Sequence, residues 1–100
     1  MSNSLSLIIP VYNEEDNVRN YLENYIKYLD QSKINYEIII VESNSTDNTH
    51  NELERFRKFK SIKIIYENKK KGYGSAVKLG LKKSTKEFFT IFPIDNQYSI

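Results

Sequence analysis

One hundred residues allow one domain, and a chain this short buries only about two thirds of its unfolded surface. Hydrophobic residues make up 39% and charged residues 28%, a balance ordinary for a soluble globular chain. The net charge of +2 is too small to argue for nucleic acid, and the lack of cysteine excludes disulfides, thiolate metal sites and a cysteine nucleophile.

Residues 4 to 11 form a short apolar run closed by Pro10-Val11, which predicts a buried strand. The run is too short to span a membrane and follows no basic segment, so neither a transmembrane helix nor a signal peptide is read here. Asn13 is placed to cap a helix, with Glu14, Glu15 and Asp16 at its positive end. Val18, Tyr21, Leu22, Tyr25, Ile26 and Leu29 follow at helical spacing and predict one buried face.

Tyr36 to Val41 is the clearest strand. Its Ile38-Ile39-Ile40-Val41 run is unbroken and β-branched, as expected where helices cover both faces of a parallel sheet. A polar loop, Glu42 to Asp47, leads to a second helix with Thr49, Leu53 and Phe56 inward. Ile62 to Tyr66 is a third strand, followed by a basic loop with a glycine. A third helix is expected from about Ser75 to Lys83, burying Ala76, Val77, Gly80 and Leu81, and Phe88 to Phe92 is a fourth strand. The alternation of strands and helices with short connections predicts a three-layer α/β/α, Rossmann-like domain over residues 1–100, with a mainly parallel sheet of about four strands.

In such sheets, ligands bind beyond the carboxyl ends of strands, where the strand order reverses. If the fourth strand lies beside the first, the reversal falls between them. The residues just past the first, second and fourth strands are then Tyr12-Asn13-Glu14, Glu42-Ser43-Asn44 and Asp95-Asn96-Gln97. Glu14, Glu42 and Asp95 would meet on one rim. Carboxylates there suit a nucleotide-diphosphate sugar: they accept bonds from ribose hydroxyls or base N–H groups, and they ligate hard cations that bridge diphosphate oxygens.

Several other features have plain structural readings. Gly72-X-Gly74 lacks the third glycine of a dinucleotide fingerprint, since Val77 stands there, and reads as a loop entering a helix. Lys69-Lys70-Lys71 reads as a solvated loop, and His50, the one histidine, as a surface residue. Gly80 reads as a site of close helix–sheet packing. Ser43, Ser45 and Thr46 suit turns and caps better than hydrolysis.

Four segments together resemble family 2 glycosyltransferases, which share the GT-A fold. Ile8-Ile9-Pro10-Val11-Tyr12-Asn13-Glu14-Glu15 is similar to the family's opening, and Ile38 through Thr49 to its second segment. Gly72 to Leu81 resembles the glycine-bearing third segment. Pro93-Ile94-Asp95-Asn96-Gln97 falls where the family carries its Asp-X-Asp metal motif, with Gln97 placed as in the branch that acts on polyprenyl phosphate.

The resemblance implies a glycosyltransferase using a UDP- or GDP-sugar, with Pro10, Tyr12, Glu14, Glu42, Ser43 and Asp95 at the nucleotide. It implies Mg²⁺ or Mn²⁺ held by Asp95 with Gln97 close by. The implied acceptor is a polyprenyl phosphate or a glycan, and the implied location is the cytoplasm, at the cytoplasmic face of a membrane through a further C-terminal part. Two departures stand out: Ser43 replaces the second acid of the family's pair, and Pro93 the first aspartate of its metal motif.

The strand-into-loop ending at Ile100 leads us to expect the donor half of a longer protein, without the acceptor half. An uncovered sheet edge would then favour self-association. A non-catalytic nucleotide binder and a purely structural remnant of the fold stay open beside the enzyme.

Overall fold

A computed structural model describes residues 4–68 and 72–92. The elements run β1 (Ser4–Val11), α1 (Val18–Ser32), β2 (Asn35–Glu42), α2 (Thr49–Glu54), β3 (Ile62–Tyr66), α3 (Tyr73–Lys83) and β4 (Phe88–Ile91). The four strands form one parallel sheet in the order β3-β2-β1-β4. The chain thus winds outward from β1 to β3 and returns to the other side of β1, which puts the reversal between β1 and β4 as expected.

Strand alternation divides the sheet's side chains between two helical layers. Leu7, Ile9, Val11, Ile38 and Ile40 pack with Val18, Leu22 and Leu29 of α1 and with Leu53 and Phe56. On the other face, Ile39 and Val41 pack with Ala76, and Ile65 and Leu79 join them. The run from Ile38 to Val41 is fully buried, the condition its β-branched sequence predicted.

The α3 layer comes close because Gly80 has no side chain. A Cβ there would lie 2.6 Å from Ile8 Cγ2. Ala76 and Gly80 are the buried positions of α3, and Val77 and Leu81 are only partly covered.

Two boundaries differ from the sequence reading. The first helix starts at Val18, and Asn13 does not cap it. Asn13 takes φ 52°, in the left-handed region, and its side chain bonds to Thr46 across the rim. A turn fills the interval, closed by the Asn17 and Val18 amides donating to the Glu14 carbonyl. The second helix ends at Glu54, and Phe56 is buried from the turns that follow.

At the amino ends of the strands, the buried Glu37 gathers three neighbours through four contacts. Lys63 Nζ lies 2.8 Å from its carboxylate, Ser6 Oγ donates at 2.6 Å, and Thr85 donates from its amide at 2.7 Å and its hydroxyl at 3.1 Å. One side chain of β2 therefore ties β1, β3 and the segment that leads into β4. Burial alone would push its carboxyl up, but the bonds from Lys63, Ser6 and Thr85 outweigh it and hold it at about 2.

Candidate functional site

The carboxyl ends of β1, β2 and β3 finish level with one another. Val11 pairs with Glu42, and Glu42 with Tyr66. The ladder then continues one step into the loops, where the Ser43 amide donates to the Val11 carbonyl and the Glu67 amide to the Glu42 carbonyl. The rim of the site is therefore set by regular backbone pairing.

The first two loops are clamped together above this rim. The Asn13 amide donates to Ser45 Oγ at 2.9 Å, and its side-chain amide bonds to Thr46 in both directions. The Glu14 amide donates to Thr49 Oγ1 at 2.9 Å, and the Glu15 amide to Asp47 at 3.3 Å. Thr49 is fully buried, and its own amide and hydroxyl both donate to Asp47. Burial opposes the charge on Asp47, but the Thr49 and Glu15 bonds outweigh it and keep its carboxyl below the usual range. Asn13, Asp47 and Thr49 thus carry structure at the site that sequence reasoning assigned to caps and to the core.

Glu42 and Ser43 are neighbours in sequence, and strand alternation sends them to opposite faces. Glu42 accepts the Ser45 amide on one carboxylate oxygen, and its other oxygen lies 3.8 Å from His50 Nδ1. Its side chain is only 3% exposed. Ser43 Oγ donates to Glu67 at 2.7 Å, and Ser75 Oγ of α3 donates to the same carboxylate at 3.2 Å. Glu67 is a residue that sequence reasoning missed. Its signal was available, as an acid directly after the apolar third strand, but only the ends of the other three strands were weighed.

His50 is exposed, as read from the sequence, yet well engaged. Its ring stacks on Tyr66 with centroids 4.2 Å apart. The Tyr66 hydroxyl donates to Glu54, which Arg57 grips with two bonds of 2.9 Å. Burial and then the Glu54 bond push the Tyr66 hydroxyl up to about 12, so it stays a donor at neutral pH.

Of the residues assigned to the nucleotide, Pro10 near the end of β1 and Tyr12 and Glu14 on the first loop are partly exposed, and Glu42 and Ser43 are buried where β2 ends. Glu14 also accepts a bond from Asn17 Nδ2 at 3.0 Å. Asp95 and Gln97, assigned to the metal, lie outside the described residues, as do Pro93 and the Lys69–Lys71 run. Among the described residues, no group of three or more His, Cys, Asp and Glu could hold a metal ion. A cleft of about 540 Å³ lies elsewhere, lined by Arg19, Lys27, Arg55 and Phe59 among others, and no rim residue contributes to it.

Comparison with known proteins places this rim in context. The profile of "Glycosyl transferase family 2" matches residues 6–100. A dolichyl N-acetyl-alpha-D-glucosaminyl phosphate 3-beta-D-2,3-diacetamido-2,3-dideoxy-beta-D-glucuronosyltransferase from Methanococcus voltae is 41% identical over 93 residues, covering 90% of this chain and 28% of that protein. A dolichol-phosphate mannosyltransferase from Pyrococcus furiosus is 33% identical over 96 residues, covering 94% of this chain and 26% of that protein. Among solved structures, the mannosyltransferase PcManGT from Pyrobaculum calidifontis, in complex with GDP-Man and Mn²⁺, superposes with a TM-score of 0.81 at 25% identity, covering 95% of this chain and 28% of that one. The chain thus spans little more than a quarter of the length of these relatives.

Proposed function

Since the chain belongs to glycosyl transferase family 2, we propose that it forms the donor-nucleotide half of an enzyme that moves a sugar from a UDP- or GDP-sugar to an acceptor. The observation that carries this reading is the clamped rim. Ligands of open parallel sheets sit at the strand-order reversal, and here the reversal lies beside the end of β1, which carries Pro10 and Tyr12, with the end of β2 and Glu42 next along the sheet. The dolichyl-phosphate names of the relatives, and the GDP-Man in the mannosyltransferase structure, agree in kind with that site.

In this reading Tyr12 and Pro10 border the base, Glu14 and Ser43 complete the nucleoside pocket, and Glu42 accepts a hydrogen bond from base or ribose. Because the Ser45 amide fixes one Glu42 oxygen, the carboxylate is oriented before the ligand arrives. Asp95 would hold Mg²⁺ or Mn²⁺ against the diphosphate, with Gln97 close by; such an ion supplies positive charge to the leaving diphosphate. A polyprenyl phosphate is the acceptor class that fits the relatives' names. We place the chain at the cytoplasmic side of a membrane; among the described residues no helix is long and apolar enough to cross one.

The replacement of two family acids by Ser43 and Pro93 favours a second reading, a nucleotide binder that transfers nothing. Thermal melting with UDP, GDP and other nucleotides, with and without Mn²⁺, tests the site. A rise in melting temperature with a uridine or guanosine diphosphate is expected, and no rise with any nucleotide refutes the assignment. Radiolabelled transfer to a polyprenyl phosphate then separates enzyme from binder.

A further inference from the structure

Glu42 is assigned above to the nucleoside, yet its side chain is almost completely covered. One oxygen is taken by the Ser45 amide, which belongs to its own loop. The other faces the imidazole of His50 at 3.8 Å, too far for a hydrogen bond and close enough that nothing fits between them. A donor group that approaches this oxygen from the side of α2 therefore meets the imidazole.

The imidazole is held from behind. It stacks on Tyr66, whose register places it beside Glu42 on β3, and Tyr66 is fixed in turn by Glu54 and Arg57. His50 is second in α2, and the clamp through Thr49 and Asp47 fixes the start of that helix. Ring, backbone and support thus each have a partner, while half of the side chain faces solvent (53% exposed). A planar, half-exposed group stacked on a neighbour beside a covered carboxylate is suited to discriminate by shape between ligands that offer the same N–H or O–H donor.

We propose that His50 is the specificity-determining residue of the nucleoside site, a fixed wall that decides which nucleobase edge reaches Glu42. The inference rests on the nucleotide-binding reading given above. The wall works through bulk and position. A smaller side chain opens the approach to Glu42 and lets disfavoured bases in, and a ring of similar size restores the selection.

The test is calorimetric titration of the protein with UDP, GDP, CDP and ADP. In native protein one nucleotide is preferred. In His50→Ala the ratio of best to next-best affinity falls by about fivefold or more, equivalent to about 1 kcal/mol of lost discrimination. The melting temperature without ligand stays the same. His50→Asn, a second truncation, shows the same loss, and His50→Phe, which keeps a ring on Tyr66, recovers the native ratio.

A purely structural role would weaken all four nucleotides alike and leave the ratio untouched. An unchanged ratio in His50→Ala or His50→Asn overturns the inference while leaving the nucleotide site standing, and so does failure of His50→Phe to restore it. If native protein binds none of the four, the nucleotide-binding reading fails, and the inference fails with it.

Discussion

Replacing Glu37 with glutamine removes one charge and little volume from a buried side chain that ties three parts of the sheet together. The carboxylate is buried and bonded to Lys63, Ser6 and Thr85. Its pKa falls from 4.5 in the unfolded reference to about 2 in the fold, a difference that corresponds to roughly 3 kcal/mol of stability. The sign follows from the direction of the shift. A group whose folded pKa is depressed contributes fully above its unfolded value, so the contribution is complete above pH 4.5 and is lost as pH falls toward 2. Urea unfolding at pH 7 and pH 3 measures it. Glu37→Gln should lose about 3 kcal/mol at pH 7 and less at pH 3. The Lys63 ammonium, left without its partner, is half in solvent already and is rehydrated at little cost. A variant as stable as native protein at pH 7, or one with the same dependence on pH, would refute the reasoning.

Four further outcomes are expected. Gly80→Ala sets a methyl against the buried Ile8, and overpacking of about 1–3 kcal/mol should exceed the gain of up to about 1 kcal/mol in helix propensity, measured as a fall in the urea midpoint. Thr49→Val keeps the shape of the buried side chain but leaves the Glu14 amide without its acceptor, at a cost of about 1–3 kcal/mol; nucleotide affinity should fall with it, as read by titration. Asp95→Ala should abolish the Mn²⁺-dependent part of any nucleotide-induced melting shift, and an intact Mn²⁺ effect would remove Asp95 from the metal site. Phe88 and Phe89 stand more than half exposed on the edge strand β4, so self-association is expected in sedimentation at high concentration, and Phe89→Lys should reduce it.

The fold was legible because its signals are strong and local. The Ile38 to Val41 run can only be a strand buried on both faces, and the spacing of Val18, Leu22 and Leu29 can only bury them as a helix. The strand order followed from parallel crossovers once β4 was placed beside β1. The rim was legible as a set of strand ends, but its internal bonding was not. Asn13 has a capping residue's composition, and only the second loop arriving across the sheet turns it into a clamp. Glu42 and Ser43 read as one polar pair, and the pleat of the sheet separates them. Glu37 sits inside an apolar strand, an anomaly visible in the sequence, but its partners come from positions 6, 63 and 85 and no local pattern predicts them.

The central position of β1 has a consequence for the order in which the chain can be completed. The Lys86 amide that bonds to Ser6 Oγ lies 80 residues further along the chain. During synthesis β1 can acquire β2 early, but its other edge stays unpaired until β4 has been made. For that interval an apolar strand offers an open template to any extended segment nearby. Ser6, buried on β1, and Glu37, buried beside it on β2, make such a segment costly unless it brings the donors that Thr85 and Lys86 supply.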